Sequence, residues 1–448
     1  MAVKKMGGHI DPYGSSLLIG PVALAVWGVL LIAAILTGQT LFSLLLLGAL
    51  LTALLARLWG LGSLKNVRVG LRADTTRVYA GDRLTLTYQV ENGKFLPLIW
   101  LEVLQRLPKD GCMEPEDQEL LGEMPLPEEE LEQVRSRYAQ AVREAEKNPD
   151  QGKKLGPLVE TCPALRSKFS FVLWYQQLEW DCVWLAKKRG LWHPKELLLR
   201  SGDGFGLAQA EQLCPVEKKP LLVVYPKLVP VNAAPLLGNL WEAQTGSAGT
   251  YEDCTILRGE RDYQWGDPWK RIDWRVAARG GGLQVKLYET IQPKSIHFLL
   301  DGASFLGRSE DNRELEEAIS IVASLMVNLS AAQVHCGLSL PRTPSMASAD
   351  LFPGEETTAD DLLLYLAGFR CMGDVTRLDG LRLAGLRERM GQVYLVTWKD
   401  SDAGNQILLE SMGSGGVTIL TWETPQEQGA GEYRVLPLRS LKGGAPHG

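Results

Sequence analysis

The sequence has no C-x-x-C pair, no histidine at zinc-ligand spacing from a cysteine, no Lys-Ser/Thr after a glycine loop and no long basic run. Each absence removes a class of function. Cys112, Cys162, Cys182, Cys214, Cys254, Cys336 and Cys371 are dispersed and odd in number, so they read as reduced, mostly buried thiols rather than a disulfide framework or zinc site. A net charge of -6 with 22% charged residues excludes nucleic acid as the default partner. The five histidines, His9, His193, His297, His335 and His447, form no recognisable acid–base set with a Ser or Cys nucleophile. No catalytic residue is therefore assigned, and the expectation is a protein that is not an enzyme. The glycines of Gly202-Asp203-Gly204-Phe205-Gly206-Leu207 lack the spacing of a phosphate loop ahead of a helix, so this stretch reads as a tight turn closing a β module.

Charge is also missing locally: residues 12–56 contain no Asp, Glu, Lys or Arg. Within and just beyond this run, residues 16–36 and 41–61 are each about 20 residues long, enough for a helix to cross a hydrocarbon core of about 30 Å. A short polar break at 37–40 separates them. Both are apolar on every face, which argues against a buried soluble pair. The expectation is a transmembrane helical hairpin over 1–62, in contact with membrane lipid. Lys4 and Lys5 precede the uncharged run, Arg57, Lys65, Arg68 and Arg72 follow it, and the connecting turn carries no charge. The positive-inside rule then predicts a two-helix, multi-pass protein of the cell membrane, with both termini and the bulk of the chain cytoplasmic.

What is present after residue 62 falls into three parts. Residues 63–230 read as a β-sandwich-like module: Val67, Val69 and Leu71, then Leu84, Leu86, Tyr88 and Val90, alternate with polar neighbours. A helical insertion near 128–147 interrupts it, with Leu131, Val134, Tyr138 and Val142 at helical spacing and Glu128 to Glu130 at its start. Residues 231–290 hold a linker followed by a charged stretch. Residues 291–448 alternate short apolar strands with amphipathic helices, the pattern of a doubly wound α/β domain with a mostly parallel sheet. In such sheets ligands sit at the carboxyl ends of strands, where Asp301 and Asp400 fall.

The charged stretch at 258–289 is the most distinctive part of the chain. It combines seven Arg or Lys with three Trp, interleaved with acids. Asp267-Pro268 reads as a helix start and Gly280-Gly281-Gly282 as its end, giving about three turns with Asp267 and Arg271 one turn apart. Arg258, Arg261 and Asp262 are placed on the preceding strand or turn. Charge pairing within this stretch, and between it and its neighbours, is expected because an unpartnered, partly buried ion is costly.

Arg261-Asp262-Tyr263, Gly266-Asp267-Pro268, Arg271-Ile272-Asp273-Trp274 and Ala278-Arg279 resemble the signature of domain-of-unknown-function family 58, a bacterial and archaeal family. Lys188-Arg189-Gly190 and the 203–207 turn extend the resemblance. It implies a pair of transmembrane helices and a β module leading into a von Willebrand factor A-like domain. It also implies a MoxR-type AAA+ ATPase partner and a role in assembling, activating or metallating client proteins. The comparison implies a metal site of the form D-x-S-x-S, with a Thr and an Asp from later loops. Here Ala303 and Phe305 stand where the two hydroxyls belong and Ser304 is out of register, leaving Asp301, Ser304, Thr357, Thr358 and Asp400 as a degenerate set. No cofactor is expected beyond weak Mg²⁺ or another divalent ion. The opposing reading is a metal-dependent hydrolase that uses Asp301, Asp400 and the Arg258 to Arg279 cluster.

Overall fold

A computed structural model describes residues 20–147, 159–217, 219–238, 251–280, 282–291, 295–308, 312–342, 349–354, 356–370, 377–399, 408–410, 417–424 and 433–443. The chain divides into two compact units, Met1–Val224 and Tyr225–Gly448.

The first unit begins with two apolar helices, α1 (Pro21–Leu36) and α2 (Thr40–Ser63). Pro21 opens α1 because its fixed φ suits the first helical turn and its missing N–H costs nothing there. The break falls at 37–39, where Gly38 has φ +74°, a left-handed geometry glycine adopts without a Cβ clash. At 24 residues α2 is long and apolar enough to cross a membrane; α1 is shorter. Most of their Leu, Val and Ile side chains are exposed within the chain itself. Leu24 of α1 packs with Ala53 and Ala56 of α2, together with Leu207 and Ala208 from the β module.

Two antiparallel sheets follow. One orders its strands as Val67–Ala73, Arg83–Asn92, Gln177–Ala186 and Met113–Pro115. The other runs Gln209–Pro215, Glu196–Gly202, Leu98–Arg106, Thr161–Val172 and Leu121–Pro125. The alternation seen in the sequence sends Leu84, Leu86, Tyr88 and Val90 of the first sheet and Leu101, Val103, Leu197 and Leu199 of the second into one apolar core. Trp184 is fully buried there with its ring centroid 4.7 Å from that of Trp192. The Glu128–Lys147 helix is inserted between strands of the second sheet, as its periodicity predicts. Arg106 on the neighbouring strand anchors it with paired bonds of 2.9 and 2.5 Å to Glu130.

The second unit contains the Tyr251–Asp262 and Gln284–Ile291 hairpin and a six-stranded sheet. The sheet starts at Ser295–Leu300, buried at every position. His335–Leu340 pairs parallel on one side of it, and Gln392–Thr397, Val417–Thr421 and Arg434–Pro437 follow in parallel on the other. Only Ala349–Leu351, at the edge beside His335–Leu340, runs antiparallel. The Arg313–Ala331 helix places Leu315, Ile319, Val322, Ala323 and Met326 out of solvent, the face its spacing predicts. The alternation of apolar segments predicts a helix over 381–390; the chain forms a shorter one, an α-helix over Gly380–Ala384 followed by a 3-10 turn over Arg387–Arg389. The same alternation predicts a helix near 406–412, which lies mostly outside the described residues.

Candidate functional site

The signature stretch forms the connection of the Tyr251–Asp262/Gln284–Ile291 hairpin. Asp262 pairs with Gln284 and Arg261 with Val285 at its last rungs. Gly266, at φ +107°, turns the chain just before Asp267. A helix begun by Asp267 is not what forms. Pro268 has ψ 126° and starts only a 3-10 turn over Trp269–Arg271. The α-helix begins at Trp274, ends at Ala278 and is capped by Asp273, whose carboxylate accepts from the N–H of Arg275 at 2.8 Å and Val276 at 3.3 Å. The short polar acceptor that caps is thus the one whose backbone turns inward, where its own N–H bonds to the Gln284 carbonyl at 2.8 Å and the adjacent Ile272 bridges to buried Val285.

Asp267 has a bidentate partner in Arg261, at 2.8 and 2.7 Å, beside the charge of Arg271 that its spacing places nearby. It also accepts from the Gln264 N–H at 2.8 Å. The hydrogen bonds from Arg261 hold the Asp267 carboxyl below its usual range, helped by the Gln264 N–H; the charge of Arg271 adds a smaller lowering. Bonds from the Arg275 and Val276 amides, with Lys286 at 3.4 Å, lower the Asp273 pKa too. These carboxylates brace the loop from inside the hairpin.

Around that braced frame the loop displays large side chains. Trp265 is 100% exposed, Trp269 68% and Trp274 56%. Tyr263 lies with its ring centroid 6.3 Å from that of Trp269, and its N–H bonds to the Leu283 carbonyl. Lys270, Arg275 and Arg279 are exposed beside them. Arg258 lies on the strand as expected.

The degenerate metal set is distributed differently. Asp301 follows the first strand of the six-stranded sheet and is buried at 3% exposure. It occupies the cap position of a 3-10 turn over Gly302–Phe305 without a side-chain capping bond. Ser304 donates to the Asp301 carbonyl at 2.7 Å and accepts from the Trp398 N–H at 3.1 Å. Phe305 is buried edge-on against Trp398 and Trp422, with centroids 5.7 and 6.4 Å away. Thr357 donates to the Phe352 carbonyl, and Thr358 forms a capping box with Asp361 at the start of the Ala359–Gly368 helix. Asp400 lies outside the described residues.

One buried arrangement had no sequence signature. His297 Nε2 lies 2.9 Å from Ser339 Oγ, Ser339 donates to Asp350 at 2.6 Å, and Asp350 pairs with Arg382 at 2.7 Å. Serine sits in the middle and gives its proton to the aspartate, so it is not poised as a nucleophile toward the imidazole. Burial, with a smaller contribution from Arg387, pushes the His297 pKa down to about 3, so the ring is neutral and Nε2–H donates to Ser339. The only hint in the sequence was a histidine within an apolar strand.

A family model described as "Protein of unknown function DUF58" matches residues 259–375, beginning within the signature hairpin and ending after the Ala359–Gly368 helix. The chain carries a DUF58 domain. Uncharacterized protein YeaD of Bacillus subtilis (strain 168) is 23% identical over 259 residues, covering 57% of this chain and 61% of the relative. The match thus spans less than two thirds of YeaD. Among solved structures, a putative membrane anchored protein from Corynebacterium diphtheriae aligns over 37% of each chain at 8% identity and a TM-score of 0.21. A cohesin module from a Clostridium perfringens family 33 glycoside hydrolase aligns over 35% of this chain and 96% of its own at 9% identity and 0.18. TM-scores this low do not indicate a shared fold. Outside the DUF58 segment, the architecture stands on the chain's own pairings.

Proposed function

We propose that this DUF58 protein is a membrane-anchored cytoplasmic adaptor that engages a MoxR-type AAA+ ATPase or its client during assembly or maturation of other proteins. The observation that carries the reading is the signature loop: three exposed tryptophans beside Lys270, Arg275 and Arg279, on a frame locked by Asp267 and Asp273. Exposed Trp and Arg on a rigid loop have the composition of protein-interface hot spots, and a braced loop loses little entropy on binding. A site for chemistry would instead gather titratable groups in a cleft.

In this reading α1 and α2 form a transmembrane hairpin, supported by the length of α2, their exposed apolar surfaces and the uncharged run at 12–56. The six-stranded sheet is a doubly wound, von Willebrand factor A-like domain, supported by its strand order reversing beside Ser295–Leu300. It works without a resident cation. The Ser304, Thr357 and Thr358 hydroxyls already serve backbone and capping partners, and Phe305 fills the position of a ligand with an aromatic ring. A divalent ion, which wants several free oxygens, is a poor match to that set.

Affinity purification of the full chain from native membranes tests the proposal. An AAA+ ATPase of the MoxR type is expected to co-purify in at least one nucleotide state, with Trp265→Ala weakening recovery about tenfold or more. Recovery of no such ATPase under any nucleotide condition would sink the reading.

A further inference from the structure

The first unit carries a second group of exposed residues, five aromatics and a leucine, remote in sequence from the signature and unused by the proposed function. Phe95 is 74% exposed, Phe171 69%, Leu173 48%, Trp174 51%, Tyr175 68% and Phe205 81%. They sit on three turns: residues 93–97, 171–176, and the glycine-rich turn after Glu196–Gly202.

All three turns gather at the end of α2. Lys94 donates to the Ser63 carbonyl at the helix terminus and to the Lys65 carbonyl at 2.9 Å. The Asn92 amide joins the first two turns by bonding the Leu96 carbonyl at 3.0 Å and the Leu173 carbonyl at 2.9 Å. Tyr175 N–H bonds to the Lys94 carbonyl, and the Phe95 and Trp174 rings stack with centroids 5.7 Å apart. The third turn meets the helix side, where Ala208 packs with Ala53 and Ala56 and a Cβ on Gly60 would come within 2.9 Å of Ala208.

The depth follows from helix geometry. About 20 residues cross the hydrocarbon, so a span starting at Thr40 leaves it near Gly60. At about 1.5 Å per residue, Ala53 and Ala56 lie roughly 10 and 6 Å short of that point. The turn that touches them is therefore level with the outermost acyl chains and headgroups.

Its backbone is prepared for that medium. The buried Asp203 carboxylate accepts from the N–H of Ala208 at 2.8 Å and of Phe205 at 3.3 Å, while the Asp203 carbonyl accepts from Trp100 Nε1 at 3.2 Å. Internally satisfied polar groups are what a turn needs where water is scarce. Phe205, in contrast, points away from every core.

We infer that these turns form an aromatic collar that seats the β module on the bilayer around α2, with Phe205 and Trp174 inserted at the headgroup boundary. The occupant is lipid, because the apolar surface adjoins the exit of a helix whose own exposed side chains match hydrocarbon, and Trp and Tyr favour that interface. Lys65 and Arg68 beside the exit suit anionic headgroups. The collar rests on the reading of α2 as a span, and the experiment separates the two.

The full chain, reconstituted into vesicles of phosphatidylcholine and phosphatidylglycerol, carries a small environment-sensitive fluorescent amino acid at one position at a time. Doxyl-labelled lipid is the quencher. Phe205 and Trp174 positions are expected to lose most of their emission, as is Leu47 in α2. Lys188 is expected to lose none. It lies just past the Leu185–Arg83 end of the strand pair whose Gln177–Glu91 end meets the membrane. Quenching at Leu47 without quenching at Phe205 or Trp174 overturns the collar and leaves the span. No quenching at Leu47 overturns both. Blue-shifted emission at Phe205 without lipid quenching means protein covers the turn, and this too overturns the proposal.

Discussion

At the scale of single residues, environment decides what each group does. His297 is neutral because burial, more than the nearby Arg387 charge, lowers its pKa to about 3. Unfolded histidine titrates near 6.5, so between about 6.5 and 3 the unfolded chain binds a proton that the native chain refuses. Stability from this group is complete above the unfolded pKa and declines as pH falls, at about 1.4 kcal/mol per pH unit. His297→Leu is expected to remove that component from the stability-versus-pH curve measured by chemical denaturation; an unchanged slope contradicts the account. Phe305 gives a second residue-scale case. As part of the aromatic cluster with Trp398 and Trp422, its truncation to Ala should cost about 3–5 kcal/mol, whereas a side chain merely lining an open ligand cleft would cost far less. The sequence showed that Phe305 displaces a hydroxyl, but not that it fills the space. That depends on Trp398 and Trp422, which are distant in sequence.

At the scale of elements, periodic segments were the most legible. The Glu128–Lys147 helix and the strand starting at Val67 follow from apolar spacing, because burial of one face is what organises them. The signature was legible in its charges but not in its local geometry. Asp267 and Asp273 both precede residues able to start a helix, and the choice between them is made by Arg261, Gln284 and Val285 across the hairpin. The His297 chain was equally invisible, since Ser339 and Asp350 arrive through sheet register. For the inserted helix, the bonds from Arg106 hold Glu130 down to about 2, with Lys109 assisting. Its contribution is present above the unfolded carboxylate pKa and is lost as pH falls toward 2. Glu130→Gln should therefore loosen the insertion at neutral pH. Limited proteolysis within 128–147 is expected to accelerate several-fold while the sandwich core melts within a few degrees of wild type. Unchanged cleavage would show that the Arg106 anchor is dispensable.

For the molecule as a whole, each unit presents a different kind of exposed surface. The first has apolar helices and aromatic turns around the end of α2; the second has a braced loop of Trp, Lys and Arg. The apolar helices were legible because length and lack of charge suffice to read them. The aromatic turns were not, because Phe95, Trp174 and Phe205 share a surface only through sheet pairing and the Lys94 and Asn92 bonds. In the proposed account, lipid takes the first surface and an AAA+ partner or its client takes the second. The most direct test is photocrosslinking in living cells from a benzophenone amino acid at position 265, with the crosslinked product identified by mass spectrometry. The account predicts a discrete adduct with a MoxR-type AAA+ ATPase or its client, diminished when Arg261→Ala and Asp267→Ala release the loop. Adducts with lipid alone, or none in a folded, membrane-inserted chain, would contradict it.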